Sequence, residues 1–139
     1  MAGTRKHYLV YADGSCIGNP GRGGWGAVII EEGEGERREI NGHDPATTNN
    51  RMEILAAVEA LRHTDPASSV VLRSDSQYLV HTMNKGWKRK ANLDLWQQLD
   101  AEVARRHVQF EWVRGHGYDP LNDRADQLAN LGSDRKIVD

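Results

Sequence analysis

The chain contains a single cysteine, Cys16, among its 139 residues. One cysteine excludes an intrachain disulfide and any zinc site built from several thiolates. No apolar run approaches the roughly 20 residues that a membrane-spanning helix needs. The N-terminal segment "MAGTRKHYLV" also lacks the long apolar stretch and the cleavage site of a secretory signal. We therefore expect a cytoplasmic protein with no membrane partner.

The chain also lacks a strong excess of charge of either sign, because the formal net charge is only −2. A chain so close to neutral does not attract polyanions over its whole surface. Trp87 has a local basic cluster around it, formed by Lys85, Lys88, Arg89 and Lys90. Such a cluster is either a solvated surface or a patch that contacts nucleic acid. With 38% hydrophobic and 27% charged residues, the composition favours one compact domain over residues 1–139 rather than a disordered chain.

The hydrophobic pattern predicts five strands and four helices. The strands are expected at 7–13, 25–31, 36–43, 69–75 and 108–113. Three of the helices have candidate N-caps, and the remaining one has an apolar stripe of Leu95, Trp96, Leu99 and Val103. The candidate caps are Thr48 or Asn49, Ser76 or Asp75, and Asp119 followed by Pro120. The order β-β-β-α-β-α-α-β-α predicts an α/β fold, with one mixed sheet whose first three strands are antiparallel.

The glycines of "YADGSCIGNPGRGGWGAV" allow two interpretations. Gly21, Gly23 and Gly26 have the GxGxxG spacing of a dinucleotide-binding loop. That loop must open a helix, but Gly26 leads directly into the strand-like "AVII". We therefore expect a hairpin turn, in which glycine supplies positive φ and allows close packing of strands.

Four acidic residues are candidates for a shared site. Asp13 and Asp75 each follow an apolar strand, where ligands of α/β sheets gather. Glu53 and Asp126 lie in predicted helices with apolar neighbours. Each acid alone is also explained as a cap or as an exposed helical acid.

Five segments in order carry a resemblance that joins these acids. They are "DGSCIGNPGRGGWGAV", "TTNNRMEILAA", "SDSQYLV", "DLWQQLD" and "WVRGHGYDPLNDRADQLA". Together they resemble ribonuclease H of type 1, from about Tyr8 to Leu131. The resemblance implies the ribonuclease H-like fold, a five-stranded mixed sheet flanked by helices. It also implies an endonuclease that hydrolyses the RNA strand of RNA/DNA hybrids and leaves 5′-phosphate and 3′-hydroxyl ends.

By the same resemblance, the four catalytic and metal-binding carboxylates are Asp13, Glu53, Asp75 and Asp126. His116 matches the catalytic histidine of the mobile loop before the last helix, and histidine titrates in the range suited to proton transfer. The implied cofactor is Mg²⁺, two ions per site, with Mn²⁺ as a substitute. The donor chemistry agrees, because oxygen ligands without thiolates favour Mg²⁺ or Mn²⁺ over zinc.

The resemblance further implies the substrate contacts. The turn with Cys16 and Asn19, together with Asn49, Asn50 and Gln77, is expected to line the minor groove of the hybrid. Thr48 and Asn92 match positions that hold a phosphate of the DNA strand, although Thr48 and its neighbours also suit helix capping. Trp87 is a candidate for stacking on a sugar. The expected partner is this RNA/DNA hybrid duplex. We expect a monomer that needs no protein partner.

Two departures from the family pattern concern substrate binding. The segment "MNKGWKRKANL" is too short for the basic handle helix of many members, and Ala46 stands where several relatives have arginine. We therefore expect weaker hybrid binding than in relatives with the handle. Two other functions remain open: a nuclease of the same fold that cuts double-stranded RNA or junctions, and a catalytically silent binding module. Four mutually repelling acids disfavour the binding module.

Overall fold

The computed structural model describes residues 5–33 and 35–134. Their five strands are β1 (His7–Ile17), β2 (Gly21–Glu31), β3 (Glu36–Thr47), β4 (Ser69–Ser74) and β5 (His107–Trp112). The four helices are α1 (Asn49–Arg62), α2 (Gln77–Lys85), α3 (Leu93–Ala104) and α4 (Pro120–Ser133). The predicted order of elements is confirmed, while residues 135–139 of the predicted domain lie outside the described part. None of these helices is long and apolar enough to cross a membrane.

The strands form one mixed sheet in the order β3-β2-β1-β4-β5. β1 to β3 are antiparallel, whereas β4 is parallel to both β1 and β5. This confirms the expected ribonuclease H-like architecture. β1 is central, and its pairing with β4 ends where Tyr11 lies opposite Arg73. Beyond that point β1 continues beside β2 alone, so the sheet opens between β1 and β4.

The prediction for the glycine-rich segment was wrong in part. β1 continues past Asp13 to Ile17, and β2 begins at Gly21, so the GxGxxG glycines lie in a strand and not in a turn. In this segment the positive φ belongs to Gly18, at 82°. The expectation of close packing is confirmed, because a Cβ at Gly26 would lie 2.6 Å from the backbone nitrogen of Ala129 in α4. Among these glycines, Gly26 lets α4 approach the sheet closely.

The two faces of the sheet bury different side chains, as the alternation along a strand requires. Val10 and Ala12 of β1 belong to the larger core, which includes side chains of α1, α2 and α3. Tyr11 points to the other face and packs with Ala125 and Leu128 of α4. Asp13 lies two residues after Tyr11 and therefore on the same face of the sheet. Its side chain is directed towards α4.

Capping side chains fix where three helices begin. Thr48 caps α1 by accepting from the Arg51 backbone nitrogen at 3.2 Å. Ser76, rather than Asp75, caps α2, and Asp119 caps α4 with Pro120 at the first helical position. Because each cap accepts one of the helix's free N–H groups, these starts are well defined. The cap at Ser76 leaves the Asp75 carboxylate free of that role.

Candidate active site

Three carboxylates meet where the sheet opens. Asp13 lies on β1 beyond the end of its pairing with β4, Asp75 directly follows β4, and Glu53 comes from α1. One oxygen from each of the three lies within 4.8 Å of the other two. Asp13 and Glu53 are only 4% and 5% exposed, and Asp75 is half-buried. The topology thus concentrates negative charge in a poorly solvated place.

Gly14 holds α1 against β1 and orients two of these acids. Its backbone N–H donates to Glu53 Oε1 and to Asp13 Oδ1, the latter at 2.9 Å. A Cβ at Gly14 would lie 2.6 Å from the Met52 carbonyl carbon, so only glycine permits this approach. The position of Glu53 therefore depends on a residue without a side chain.

Burial and mutual repulsion make the ionised acids costly. Burial, then Glu53 and Asp75, raise the pKa of Asp13 far above its ordinary range. Burial also raises the pKa of Glu53, and the Asp75 charge adds to that rise. Two carboxylates about 4 Å apart repel by roughly 4 kcal/mol at an effective dielectric near 20. A hard divalent cation with oxygen ligands would remove this penalty, so the donor set fits Mg²⁺ or Mn²⁺.

Asp126 adjoins this group from α4. It lies beyond the group of three mutually close acids, but hydrogen bonding with Asp126 contributes to the raised pKa of Asp13. The amide of Asn130, one turn further along α4, is 3.4 Å from Asp126 Oδ2. All four predicted acids are therefore brought to one region, with Asp126 beside Asp13.

His116 lies in the loop between β5 and α4, exposed and with a left-handed φ of 58°. The preceding Gly115 touches the Asp75 carboxylate so closely that a Cβ there would be 3.2 Å from Asp75 Cγ. The far end of the loop is fixed by the Tyr11 hydroxyl, which donates to Asp119 Oδ2 at 2.7 Å. The loop thus approaches the acidic group at Gly115, one residue before His116.

The predicted groove residues lie near the starts of α1 and α2. The Asn49 backbone nitrogen donates to Asn19 Oδ1 at 3.0 Å, and Cys16 Sγ donates to the Thr47 carbonyl at 3.5 Å. Asn50 and Gln77 are exposed at the N-terminal ends of α1 and α2. Polar groups of β1, α1 and α2 therefore flank the acids.

Asn92 and Thr48 are joined through a residue that the sequence did not single out. Arg51 Nη1 donates to Asn92 Oδ1 at 3.3 Å, and Arg51 forms an ion pair with Asp94 at 2.7 Å. The Arg51 backbone nitrogen is also the group capped by Thr48. This connection places Asn92, at the start of α3, next to the first turn of α1.

The basic cluster is smaller than the sequence suggested. Residues 86–92 contain no helix, which agrees with the expected absence of a handle. Trp87 is 46% exposed and packs on the His81 ring, with 5.1 Å between centroids. Arg89 turns away to pair with Asp100 and to lie 4.9 Å from the Trp96 ring. Arg89 is therefore half-buried and held by α3, whereas Lys85, Lys88 and Lys90 remain exposed.

A second residue that was missed is Asn122 in α4. Its side chain is buried and donates from Nδ2 to Asp75 Oδ2 at 3.1 Å. The one available signal was spacing, since Asn122 precedes Asp126 by four residues and shares its helix face.

The sheet order and the acids at its opening define the class, an α/β protein with the ribonuclease H-like fold. The family model described as RNase H matches residues 5–134. A Ribonuclease HI from Pseudomonas aeruginosa is 45% identical over 141 residues, which span 92% of this chain and 94% of that relative. The chain belongs to the RNase H family, and it is therefore a nuclease, an enzyme of the hydrolase class.

Solved structures agree with this assignment. LC9-RNase H1, a type 1 RNase H with the type 2 active-site motif, is similar with a TM-score of 0.82 at 35% identity. The match covers 96% of this chain and 74% of that one. LC11-RNase H1, solved in complex with an RNA/DNA hybrid, gives a TM-score of 0.75 at 28% identity and covers 91% and 96% of the two chains. The resemblance to type 1 enzymes seen in the sequence is confirmed.

Proposed function

We propose that this chain is an endonuclease that hydrolyses the RNA strand of RNA/DNA hybrids, leaving 5′-phosphate and 3′-hydroxyl ends. The observation that carries the proposal is the convergence of Asp13, Glu53 and Asp75, with Asp126 alongside, at the opening of an RNase H sheet. The hybrid complex of LC11-RNase H1 supports the choice of substrate.

The four carboxylates would hold the metal. Two Mg²⁺ ions held there would supply the activation of a water molecule and the stabilisation of the departing 3′-oxygen. The chain's own part is to keep the acids together: the Gly14 N–H holds Glu53 and Asp13, and Asn122 holds Asp75. Mn²⁺ offers the same preference for oxygen ligands and should substitute.

We assign proton transfer to His116. Its loop is tied to the site at Gly115, which touches Asp75, while the ring remains exposed and accessible to substrate. A neutral imidazole accepts a proton and an imidazolium donates one near neutral pH. His116 therefore suits proton movement at the attacking or departing oxygen, without itself binding metal.

Substrate discrimination requires contacts that distinguish a strand with 2′-hydroxyls from one without them. We assign the minor groove to Cys16, Asn19, Asn49, Asn50 and Gln77, whose positions flank the acids on three neighbouring elements. The side-chain amides of the three asparagines and the glutamine can both donate to and accept from hydroxyls and base edges, and the Cys16 thiol is a weak donor.

The DNA strand is assigned to a second set of contacts. Thr48 and Asn92, connected through Arg51, would hold one phosphate. The exposed ring of Trp87 would stack on a sugar, with Lys88 close to the backbone. We propose that the chain acts as a monomeric single domain in the cytoplasm, without an obligatory protein partner.

A cleavage assay on matched RNA/DNA, RNA/RNA and DNA/DNA duplexes tests the proposal. RNA/DNA cleavage should require Mg²⁺ or Mn²⁺, stop with a chelator and stop in Asp13→Asn. End-labelling of the products should give 5′-phosphate and 3′-hydroxyl ends. Cleavage that persists with the chelator would contradict the metal mechanism. Equal cleavage of RNA/RNA would favour the alternative of a broader nuclease, for which the short 86–92 segment leaves room.

A further inference from the structure

Asn122 is the most deeply buried polar side chain that touches the acidic group from α4. It is 1% exposed, and its Nδ2 donates to Asp75 Oδ2 at 3.1 Å. Its Oδ1 is shielded from solvent and has no hydrogen-bond partner among the described residues. A buried carbonyl without a hydrogen-bond partner destabilises the fold, because it has lost its hydration. An apolar residue of the same size would avoid that cost, so stability alone does not explain an asparagine here.

The Asp75 carboxylate needs an external group to fix its orientation. The final torsion of aspartate, between sp³ and sp² carbons, is broad and does not set the plane of the carboxylate by itself. Trp112 Nε1 donates to the Asp75 carbonyl at 3.1 Å and so fixes the main chain, while Gly115 packs against the carboxylate without offering a side chain. Asn122 supplies the side-chain hydrogen bond that this arrangement still requires.

We propose that Asn122 is a positioning residue for metal binding, whose amide N–H fixes the plane of the Asp75 carboxylate so that it faces Asp13 and Glu53. This inference rests on the proposed function, since it assigns Asp75 to the metal. Such outer contacts orient ligands before the ion arrives, and their loss typically weakens metal affinity by about 10–100-fold.

The test compares Asn122→Leu with a matched control, Asn41→Leu. Asn41 also donates a half-buried amide to α4, at 3.2 Å from the Leu128 carbonyl, but to the main chain and not to an acid. Mg²⁺ affinity is measured by calorimetry without substrate, together with the unfolding temperature in chelator. Asn122→Leu should raise the Kd for Mg²⁺ by about 10–100-fold with no loss of thermal stability. Asn41→Leu should lower stability and leave the Kd unchanged.

Kinetics supply a second readout. In Asn122→Leu the Mg²⁺ concentration for half-maximal cleavage should rise, while KM for the hybrid stays constant. Asn122→Ser, which places no bulky apolar group beside the carboxylate, should show the same direction.

Wild-type Mg²⁺ affinity in both Asn122 variants would overturn this inference and leave the proposed function standing. Failure of both variants to fold would also overturn it, because Asn122 would then be purely structural. Absence of Mg²⁺ binding in the wild-type chain would instead overturn the proposed function on which the inference depends.

Discussion

Replacing Asp13 with asparagine should stabilise the metal-free chain, even though Asp13 is a proposed metal ligand. Asp13 is 4% exposed and meets Glu53 and Asp75 within 4.8 Å. At such separations each like-charge pair costs roughly 4 kcal/mol at an effective dielectric near 20. Protonation relieves part of that cost in the wild type, so we expect a gain of about 2–4 kcal/mol in the free energy of unfolding at neutral pH.

The gain should depend on pH with a definite sign. Burial and the neighbouring acids raise the pKa of Asp13 in the folded chain above its unfolded value. The stability linked to this group is therefore fully present below the unfolded pKa, near 3.8, and is lost as the pH rises towards the folded pKa. Asparagine has no such loss. The advantage of Asp13→Asn should grow with pH, by at most about 1.4 kcal/mol per pH unit.

Urea unfolding followed by tryptophan fluorescence, between about pH 5 and about pH 8, measures this difference. In chelator the variant should be the more stable protein, increasingly so towards the alkaline end. Mg²⁺ should stabilise the wild type strongly and the variant weakly, because a ligand that binds only the folded state adds stability that rises with the logarithm of its concentration divided by Kd. Glu32→Gln, which removes an exposed acid, is the control and should change little. A variant less stable than wild type in alkaline chelator would refute electrostatic crowding at Asp13.

Three further predictions test the remaining assignments. Gly14→Ala would place its Cβ 2.6 Å from the Met52 carbonyl carbon. The free energy of unfolding, measured by thermal unfolding, should fall by about 1–3 kcal/mol, and kcat should fall with it. An unchanged kcat would show that α1 can shift without harm to the site. His116→Ala should lower kcat about 100-fold or more and leave Mg²⁺ binding by calorimetry unchanged; a parallel loss of Mg²⁺ affinity would contradict a role confined to proton transfer. Lys88→Ala should weaken hybrid binding and reduce the slope of log Kd against log salt by about one unit. Its control, Arg89→Ala, loses the ion pair with Asp100 and should mainly lower stability. Equal salt slopes in wild type and Lys88→Ala would show that this lysine does not contact a phosphate.

Local sequence patterns were sufficient for the order of elements but not for the ends of the first three strands, because β1 and β3 end four residues later than predicted and β2 begins four residues earlier. The helices at 49–62 and 120–133 have caps and apolar periodicity that are readable along the chain. The early strands do not, because glycine has low intrinsic strand preference and signals a turn. β2 nevertheless begins at Gly21, since contact with α4 and pairing with β1 and β3 outweigh that local preference. The contacts with α4 join residues far apart in the sequence, such as Gly26 and Ala129, and leave no local pattern.

The same limit applies to the acidic group. Asp13 and Asp75 were suggested by their places after apolar strands, and the motifs added Glu53 and Asp126. Asn122 in α4 and Arg51 in α1 carried no comparable signal, because an asparagine or an arginine inside a predicted helix reads as an ordinary surface residue. Only the packing of α4 on the sheet shows that Asn122 is buried against Asp75.

The glycines first considered as a phosphate loop serve the acidic group indirectly. Gly26 lies directly opposite Asp13 in the β1–β2 pairing, and its missing side chain leaves room for the backbone of α4 at Ala129. A larger residue at Gly26 would push α4 away from the strand that carries Asp13, and Asp126 would move with it. Gly14 does the same for α1 and Glu53 on the other side. Convergence of the four acids therefore depends as much on two positions without side chains as on the carboxylates themselves.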